Sequence, residues 1–247
     1  MRFDVLTLFP AMFESPFAAS ILGKALEKGL IQLSAHNLRD WASGRHKVTD
    51  DMPYGGGAGM VMKPEPVSAA IQDLRRQTPG SRVVMMTPQG KTFRQDDARE
   101  LSTQTGLIFV CGRYEGFDER IRSMVDAEYS LGDFVLTGGE LPAMVMIDAV
   151  ARLLPGVLGS SGSAEGDSYA DGLLEFPHYT RPADFNGMRV PDILLSGNHE
   201  AIARWRRRQQ LQRTLVRRPD LLDSAPLSAE DRALLESLRQ ELDEGSA

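Results

Sequence analysis

RVVMMTPQGKTFRQDDARELSTQTGLIFVCGRYEG, residues 82–116, contains the alternation that decides the fold. RVVMMT (82–87) is a short, continuous apolar run, the pattern of a strand covered on both faces, and it breaks at Pro88-Gln89-Gly90. A helical stretch is predicted over 94–103. LIFVC (107–111) is then a second strand of the same buried type, running directly into the glycine-bracketed GRYEG (112–116). Strand, helix and strand in that order predict a parallel sheet in an α/β fold.

The same reading extends outward. On the amino-terminal side, FDVLTLF (3–9) reads as a strand and 11–29 as an amphipathic helix ending at Gly29. IQLSAH (31–36) reads as another strand. Residues 37–63 show little periodicity and carry the cluster YGGGAGM (54–60), and a helix over 64–76 opens on Pro64 and Glu65, a favourable first turn. On the carboxyl-terminal side, a short helical piece is predicted around 118–125. Residues 129–142 (YSLGDFVLTGGELP) read as a glycine-rich loop. AMVMIDAVARLL (143–154) is apolar nearly all round, the mark of a buried helix, and stops at Pro155-Gly156. VLGSSGSAEGDSYADG (157–172) has the composition of a linker. Beyond 174 the alternation ceases, and helices are predicted at 198–217 and 228–243. The resulting division is a domain over 1–158, a flexible linker or lid over 159–173, and a helical domain over 174–247.

Composition narrows the function classes. The 247 residues include one cysteine, Cys111, which excludes an internal disulfide framework and a cysteine-clustered zinc site and fits a reducing cytoplasm. No long apolar run suggests a signal peptide or a membrane span. The formal net charge of −6 argues against a nucleic-acid partner, but its distribution argues for one. RWRRRQQLQRTLVRRP (204–219) holds seven arginines and no acid, and screening confines each charge to a radius of about 10 Å. Arg204, Arg207 and Arg208, with Arg213 and Arg217, fall on one face of a helix capped by Ser196 or Asn198. Such a face suits an RNA backbone, with Trp205 placed to pack or stack. The alternative is a solvated charged surface.

MTPQG (86–90), CGRYEG (111–116) and SLGDFVLTGGELP (130–142) share one character, being built from glycine, proline and turn residues. Loops at the carboxyl ends of parallel strands line the ligand crevice, and glycines let backbone amides approach a ligand closely. Taken singly each segment is a turn; taken together they suit an adenine and a ribose held by backbone hydrogen bonds. Competing motifs are missing. There is no GxxxxGK[ST] loop, no GxGxxG after a strand, no HExxH and no GxSxG. Two other classes stay open: a nicotinamide-dependent oxidoreductase, and an RNA-binding protein without chemistry.

RHKVTDDMPYGGGAGMVM (45–62), TPQG, CGRYEGFDER (111–120), SLGDFVLTGGELPAM (130–144), LLPGVLG (153–159), LLEFPHYTRP (173–182) and LLSGNH (194–199) occur in order. In these blocks the chain resembles the bacterial tRNA (guanine-N1)-methyltransferases of the SPOUT superfamily, over about residues 1–220. The resemblance implies a deep trefoil knot, a homodimer with each active site completed at the interface, and S-adenosylmethionine as methyl donor. It implies tRNA as acceptor, methylated on N1 of guanosine 37 where guanosine 36 precedes it. Donor contacts map to Thr87, Pro88, Gly112, Tyr114, Glu115, Leu131, Gly132, Phe134, Leu136, Gly138, Gly139 and Pro142. Met85 and Met86 head the first loop. Met85 stands where the family often has tyrosine, which weakens the case for a stacking side chain but not for the backbone contacts.

The family's catalytic aspartate maps to Asp167 and its supporting arginine to Arg152. The N1 hydrogen must leave as that nitrogen is methylated, and a carboxylate is the residue type to take it. A permanently charged guanidinium suits the negative charge that develops on O6. Arg152 and Asp148 also stand at i, i+4 and have an ion pair as the alternative. Glu115 either complements the sulfonium or caps the helix after it. Asp50, with Asp51, either contacts substrate or holds its loop; His178 and Tyr179 either contact substrate or are ordinary loop residues. The family's benefit from magnesium carries over as a cofactor expectation, with no dedicated site in the sequence. The lid GSSGSAEGD (159–167) is expected to lack fixed order without substrate.

Overall fold

The computed structural model describes residues 1–159 and 166–244; part of the expected lid, residues 160–165, lies outside them. The chain divides into two compact units, Met1–Ser161 and Gly162–Ala247. The first begins with β1 (Arg2–Thr7), a 3-10 turn (Pro10–Phe13), α1 (Glu14–Phe17), α2 (Ser20–Glu27) and β2 (Gln32–Asn37). A 3-10 turn (Leu38–Trp41), β3 (Asp50–Asp51), β4 (Val61–Met62), α3 (Pro64–Gln77) and β5 (Arg82–Thr92) follow. Then come α4 (Gln95–Ser102), β6 (Gly106–Cys111), a 3-10 turn (Glu119–Met124), β7 (Ala127–Ser130) and α5 (Glu140–Ala151).

The unit is α/β, with a five-stranded sheet in the order β2-β1-β6-β5-β7. Every pairing in it is parallel. Parallel sheets need cover on both faces, and β1, β5 and β6 divide their side chains between two cores. Phe3, Val5, Val84, Met86, Leu107 and Phe109 face α5 and α4. Leu6, Val83, Met85, Ile108 and Val110 face α3. Val67, Ala70, Ile71 and Leu74 stand at i, i+3, i+4 and i+7, so α3 presents one apolar stripe to that second core. No residue of β6 is exposed, which is why it reads as a continuous apolar run.

Three elements differ from expectation. The amphipathic stretch 11–29 is not one helix: Ala19 is extended and Ser20 sits at φ 55°, which separates α1 from α2. Local backbone geometry there overrides hydrophobic period. β5 runs through Pro88 to Thr92, its register on β7 shifting between Met86 and Lys91. A proline is tolerated where the ladder is already broken. β7 itself overlaps the start of what reads as loop: a four-residue edge strand is too short to show a period.

In the second unit, β8 (Asp184–Phe185) and β9 (Met188–Arg189) form a small antiparallel hairpin. A 3-10 turn (Asp192–Leu195), α6 (His199–Arg217), a 3-10 turn (Pro219–Asp223) and α7 (Ala229–Glu244) complete it. Asn198 is the cap of α6, its side-chain oxygen accepting from the Ala201 amide at 3.1 Å. Leu173, Leu211 and Leu238 make the apolar centre. Arg207 joins the pieces: its Nε and Nη2 donate to the two oxygens of Asp231 at 2.7 and 2.9 Å, and its Nη1 donates to Asp171. The Asp231 carboxylate also accepts from the Ser228 amide at 3.0 Å. No helix among the described residues is long and apolar enough to cross a membrane.

The hydrogen bonds from Arg207, set against burial, hold the Asp231 carboxyl at about 2 instead of 3.8. A lowered carboxylate contributes stability above its unfolded value and loses it as pH falls through the folded one, here from about pH 4 down to about 2. Asp231→Asn should therefore lower the stability of the full chain at pH 7 by about 2 kcal/mol. It should also narrow its gap to the wild type as pH is taken down to 2, as read by urea unfolding at several pH values. A constant gap would assign the loss to packing.

Met85 has none of its surface exposed. Met85→Ala should cost about 2–5 kcal/mol in unfolding free energy, measured by denaturant titration, as deletion from a closed core does.

Candidate active site

Beside the register shift of β5 and beyond the carboxyl ends of β6 and β7 lies a cavity of about 330 Å³. Its walls come from all three glycine- and proline-rich segments. Met86, Thr87, Pro88 and Gln89 form the first wall, Gly112 to Phe117 the second, and Ser130, Leu131 and Phe134 to Gly139 the third, with Pro142 at the head of α5. The residues expected there from sequence are present, except two.

Met85 is the first exception, and strand geometry is the reason. Successive side chains on β5 point to opposite faces, so with Met86 at the cavity Met85 is directed into the core under α3. Expected as a contact, it lies in that core and off the cavity wall. Gly132 is the second: it shapes the loop without lining the cavity. Its amide donates to Ser130 Oγ at 3.2 Å and its carbonyl accepts from the Phe134 amide at 2.9 Å.

The walls close through approaches that side chains would block. The Gly139 amide donates to the Gly112 carbonyl at 2.9 Å. A Cβ on Gly139 would stand 2.8 Å from Cys111 Cα, 2.9 Å from Met86 Cβ and 3.0 Å from the Gly112 nitrogen. Only glycine lets the third segment lie against the end of β6.

The block 45–62 serves the same wall. The Glu115 amide donates to the Met60 carbonyl at 3.0 Å, the Met62 amide to the Gly116 carbonyl at 2.8 Å and the Asp118 amide to the Met62 carbonyl at 3.0 Å. A Cβ on Gly59, at φ +83°, would fall 2.5 Å from Glu115 Oε1. The glycine cluster therefore runs close against the Glu115 side chain, where a residue with a Cβ would meet its carboxylate. Glu115 does not cap the following turn, since Asp118 does so by accepting from the Arg120 amide at 3.0 Å. Asp50 and Asp51 lie on β3, paired with Met62 and Val61 of β4, and Asp51 accepts from the Met52 amide at 2.8 Å.

Arg113 was not foreseen. Its Nε stands 3.0 Å from Glu140 Oε2, its Nη1 donates to the Thr137 carbonyl at 3.1 Å, and its guanidinium lies 4.5 Å from the Phe9 ring centroid. Glu140, buried, accepts from Thr7 Oγ1 at 2.7 Å. Arg122, also on the wall, pairs with Glu128 and Gln89. In sequence these arginines and acids read as ordinary surface charge; only the fold brings them together. Cys111 is fully buried, and burial pushes its thiol well up, so it stays protonated and is no nucleophile. Among the described residues no group of three or more His, Cys, Asp or Glu side chains could hold a metal ion.

Arg152 follows α5 directly, its amide donating to the Asp148 carbonyl at 3.1 Å. Asp167 belongs to the other unit, where its carbonyl accepts from the Ala170 amide at 3.0 Å. His178 and Tyr179 are exposed; His178 packs on Phe176 with centroids 4.7 Å apart and stands 3.9 Å from Glu175. The arginine-rich segment does form a helix, but its charge is not uncompensated. Arg207 is engaged by Asp171 and Asp231, Arg208 donates to Glu241 at 2.5 Å, and Arg218 pairs with Asp220 at 2.6 Å. Arg204 meets Glu200 at 3.8 Å, with both side chains exposed. Asp171, Asp231 and Glu241 come from distant positions and Glu200 and Asp220 lie just outside 204–219, so a window confined to that segment contains none of them.

Comparison with known proteins bears on the whole chain. The model of the tRNA (guanine-1)-methyltransferase TrmD family matches residues 1–224. A tRNA (guanine-N(1)-)-methyltransferase of Syntrophotalea carbinolica is 68% identical over 99% of both chains. Its counterpart in Geotalea uraniireducens is 60% identical over 97% of this chain and 98% of its own. That of Dictyoglomus turgidum is 53% identical over 99% of each. With a cavity walled by the three segments that carry the sequence blocks, and with matches of this extent, the chain belongs to the tRNA (guanine-1)-methyltransferase family and is a methyltransferase enzyme.

Proposed function

We propose that the protein methylates N1 of guanosine 37 in tRNAs that carry guanosine at position 36, using S-adenosylmethionine, in the cytoplasm. The observation that carries the donor reading is the convergence of three glycine- and proline-rich segments on one cavity. Its size falls in the range of small-ligand pockets. Met86, Leu131, Phe134, Leu136 and Pro142 supply apolar walls for an adenine, while Gly112, Gly138 and Gly139 offer backbone groups without side chains. Glu115, beside Gly59 on the cavity wall, offers a carboxylate to a positive sulfur. The residues fit the donor.

Bound there, S-adenosylmethionine supplies an electrophilic methyl group on a sulfonium. The chain's own residues must deal with the proton. As the bond from N1 to the methyl carbon forms and the bond from sulfur breaks, the N1 hydrogen passes to the carboxylate of Asp167. Arg152, permanently charged, opposes the negative charge gathering on O6.

The return of the chain from β7 at the sheet edge to the end of β6, beyond β5, supports reading the third segment as the threaded strand of a trefoil knot. We read the second unit as the helical tRNA-binding domain, with the exposed Arg204, Arg206 and Arg217 of α6 toward the RNA backbone. A homodimer fits the apolar side chains left uncovered on the first unit, Leu141 and Val145 of α5 with Phe134 and Val135.

The deciding experiment incubates the protein with labelled donor and unmodified tRNA transcripts, with and without guanosine 37. Label should enter only the former, with mass mapping placing it on N1 of that base. Label in both, or in neither, overturns the reading. In the same assay Asp167→Asn should bind donor normally while single-turnover transfer falls about 10²–10⁴-fold. Near-normal transfer would remove Asp167 from the role. Gly139→Ala should weaken donor binding by more than about tenfold in calorimetry, because its Cβ cannot enter without moving Cys111, Met86 or Gly112.

A further inference from the structure

The unit Gly162–Ala247 holds a cavity of its own, of about 410 Å³. It lies among the segment 176–183, the 3-10 turn Asp192–Leu195 and the first half of α6. Val190, Leu194 and Ile202 back it with aliphatic surface, and Phe176, His178, Tyr179 and Trp205 add π-faces. Tyr179 and Trp205 have centroids 6.4 Å apart at 52°, so the two rings do not cover each other. Arg206 lies 4.8 Å from the centroid of Phe176. Tyr179 is 49% exposed, whereas the aromatic rings of the first unit's cores, such as Phe3 and Phe109, are closed from solvent.

Charge decides what would fill such a space. The charged residues on its wall are Arg181 and Arg206, and no carboxylate is among the lining side chains. An occupant that uses these walls fully is flat, aromatic and joined to negative charge. A nucleobase with its phosphate has that chemistry: bases stack on aromatic rings and guanidinium planes, and arginine takes phosphate. An apolar peptide segment would use the aliphatic floor and leave both cations without complement.

We propose that this cavity receives one unstacked nucleobase of the tRNA against Trp205 and Tyr179, with the adjoining phosphate on Arg206 and Arg181. The inference rests on the tRNA reading above and deepens it by assigning a second base contact. Asp167 is not on this wall, so the base held here is not the one that Asp167 deprotonates. The cavity supplies hold and register, not chemistry.

Trp41 and Trp205 are the two tryptophans of the chain, so Trp41→Phe leaves Trp205 as the sole tryptophan reporter. Titration of that full-length variant with an unmodified tRNA transcript should quench its emission saturably. Trp205→Ala in the wild-type chain should weaken tRNA affinity about ten- to a hundredfold with donor affinity unchanged, and Trp205→Phe should restore most of it. The exposed Arg206→Gln should weaken binding and lower the slope of log affinity against log salt by about one. Unchanged Trp205 emission at saturating tRNA, or unchanged tRNA affinity in Trp205→Ala, overturns the proposal. Should Trp205→Ala fail to fold, the emission titration and Arg206→Gln decide alone. Methyl transfer measured in the same samples separates the two readings. Transfer without quenching removes the base site only, and quenching without transfer removes the enzymatic reading and keeps the site.

Discussion

The hydrogen bond from the Gly139 amide to the Gly112 carbonyl, 2.9 Å long, is the contact on which the cavity depends. It joins the end of β6 to the residue that opens α5. It exists because neither partner carries a side chain: a Cβ on Gly139 would meet Cys111, Met86 and Gly112, and one on Gly112 would meet the Phe117 ring at 2.7 Å. From this one approach follow the closeness of the three loops and the position of Phe134 to Gly138 on the cavity wall. The cavity is thus a property of backbone packing, which explains why glycine and proline, not charged residues, dominate its sequence blocks.

Much of this was legible because buried parallel strands announce themselves. LIFVC and the VVMM of RVVMMT are apolar at every position since both faces of the sheet are covered, and the turn residues after them mark where the crevice lies. Strand periodicity also contained the information that separates Met85 from Met86: adjacent positions on one strand cannot both face the cavity. Reading both as contacts took loop membership as a guide where alternation was the better one. β7 was hidden for the opposite reason, being a short edge segment without a period of its own. The break at Ala19 and Ser20 lies in backbone dihedrals that hydrophobic spacing does not encode.

Charge was the least legible property. Seven arginines without an intervening acid read as a free basic face, yet Arg207 lies in a cluster with Asp171 and Asp231, and Arg208 meets Glu241. Those acids lie 24 to 36 residues away in sequence. A helix surface this basic repels itself unless acids from packed neighbours enter it, so part of the segment must be structural for the rest to stay exposed. Arg204, Arg206 and Arg217 are the arginines of the segment that stay exposed, and Arg206 stands at the aromatic cavity.

Arg113 and Glu140 carry the same logic into the first unit. Arg113 Nε and Glu140 Oε2 are 3.0 Å apart and buried but not aligned as donor and acceptor, so their attraction is charge on charge. The other atoms of the pair are committed elsewhere, Nη1 to the Thr137 carbonyl and Oε1 to the Thr7 hydroxyl. A buried pair adds little net stability, because desolvation cancels most of the attraction, but leaving either charge alone is costly. The pair therefore ties β1, the end of β6, the loop before Gly138 and the first turn of α5 to a single arrangement. The glycines permit the loops to approach; the ion pair beneath them selects which approach is kept.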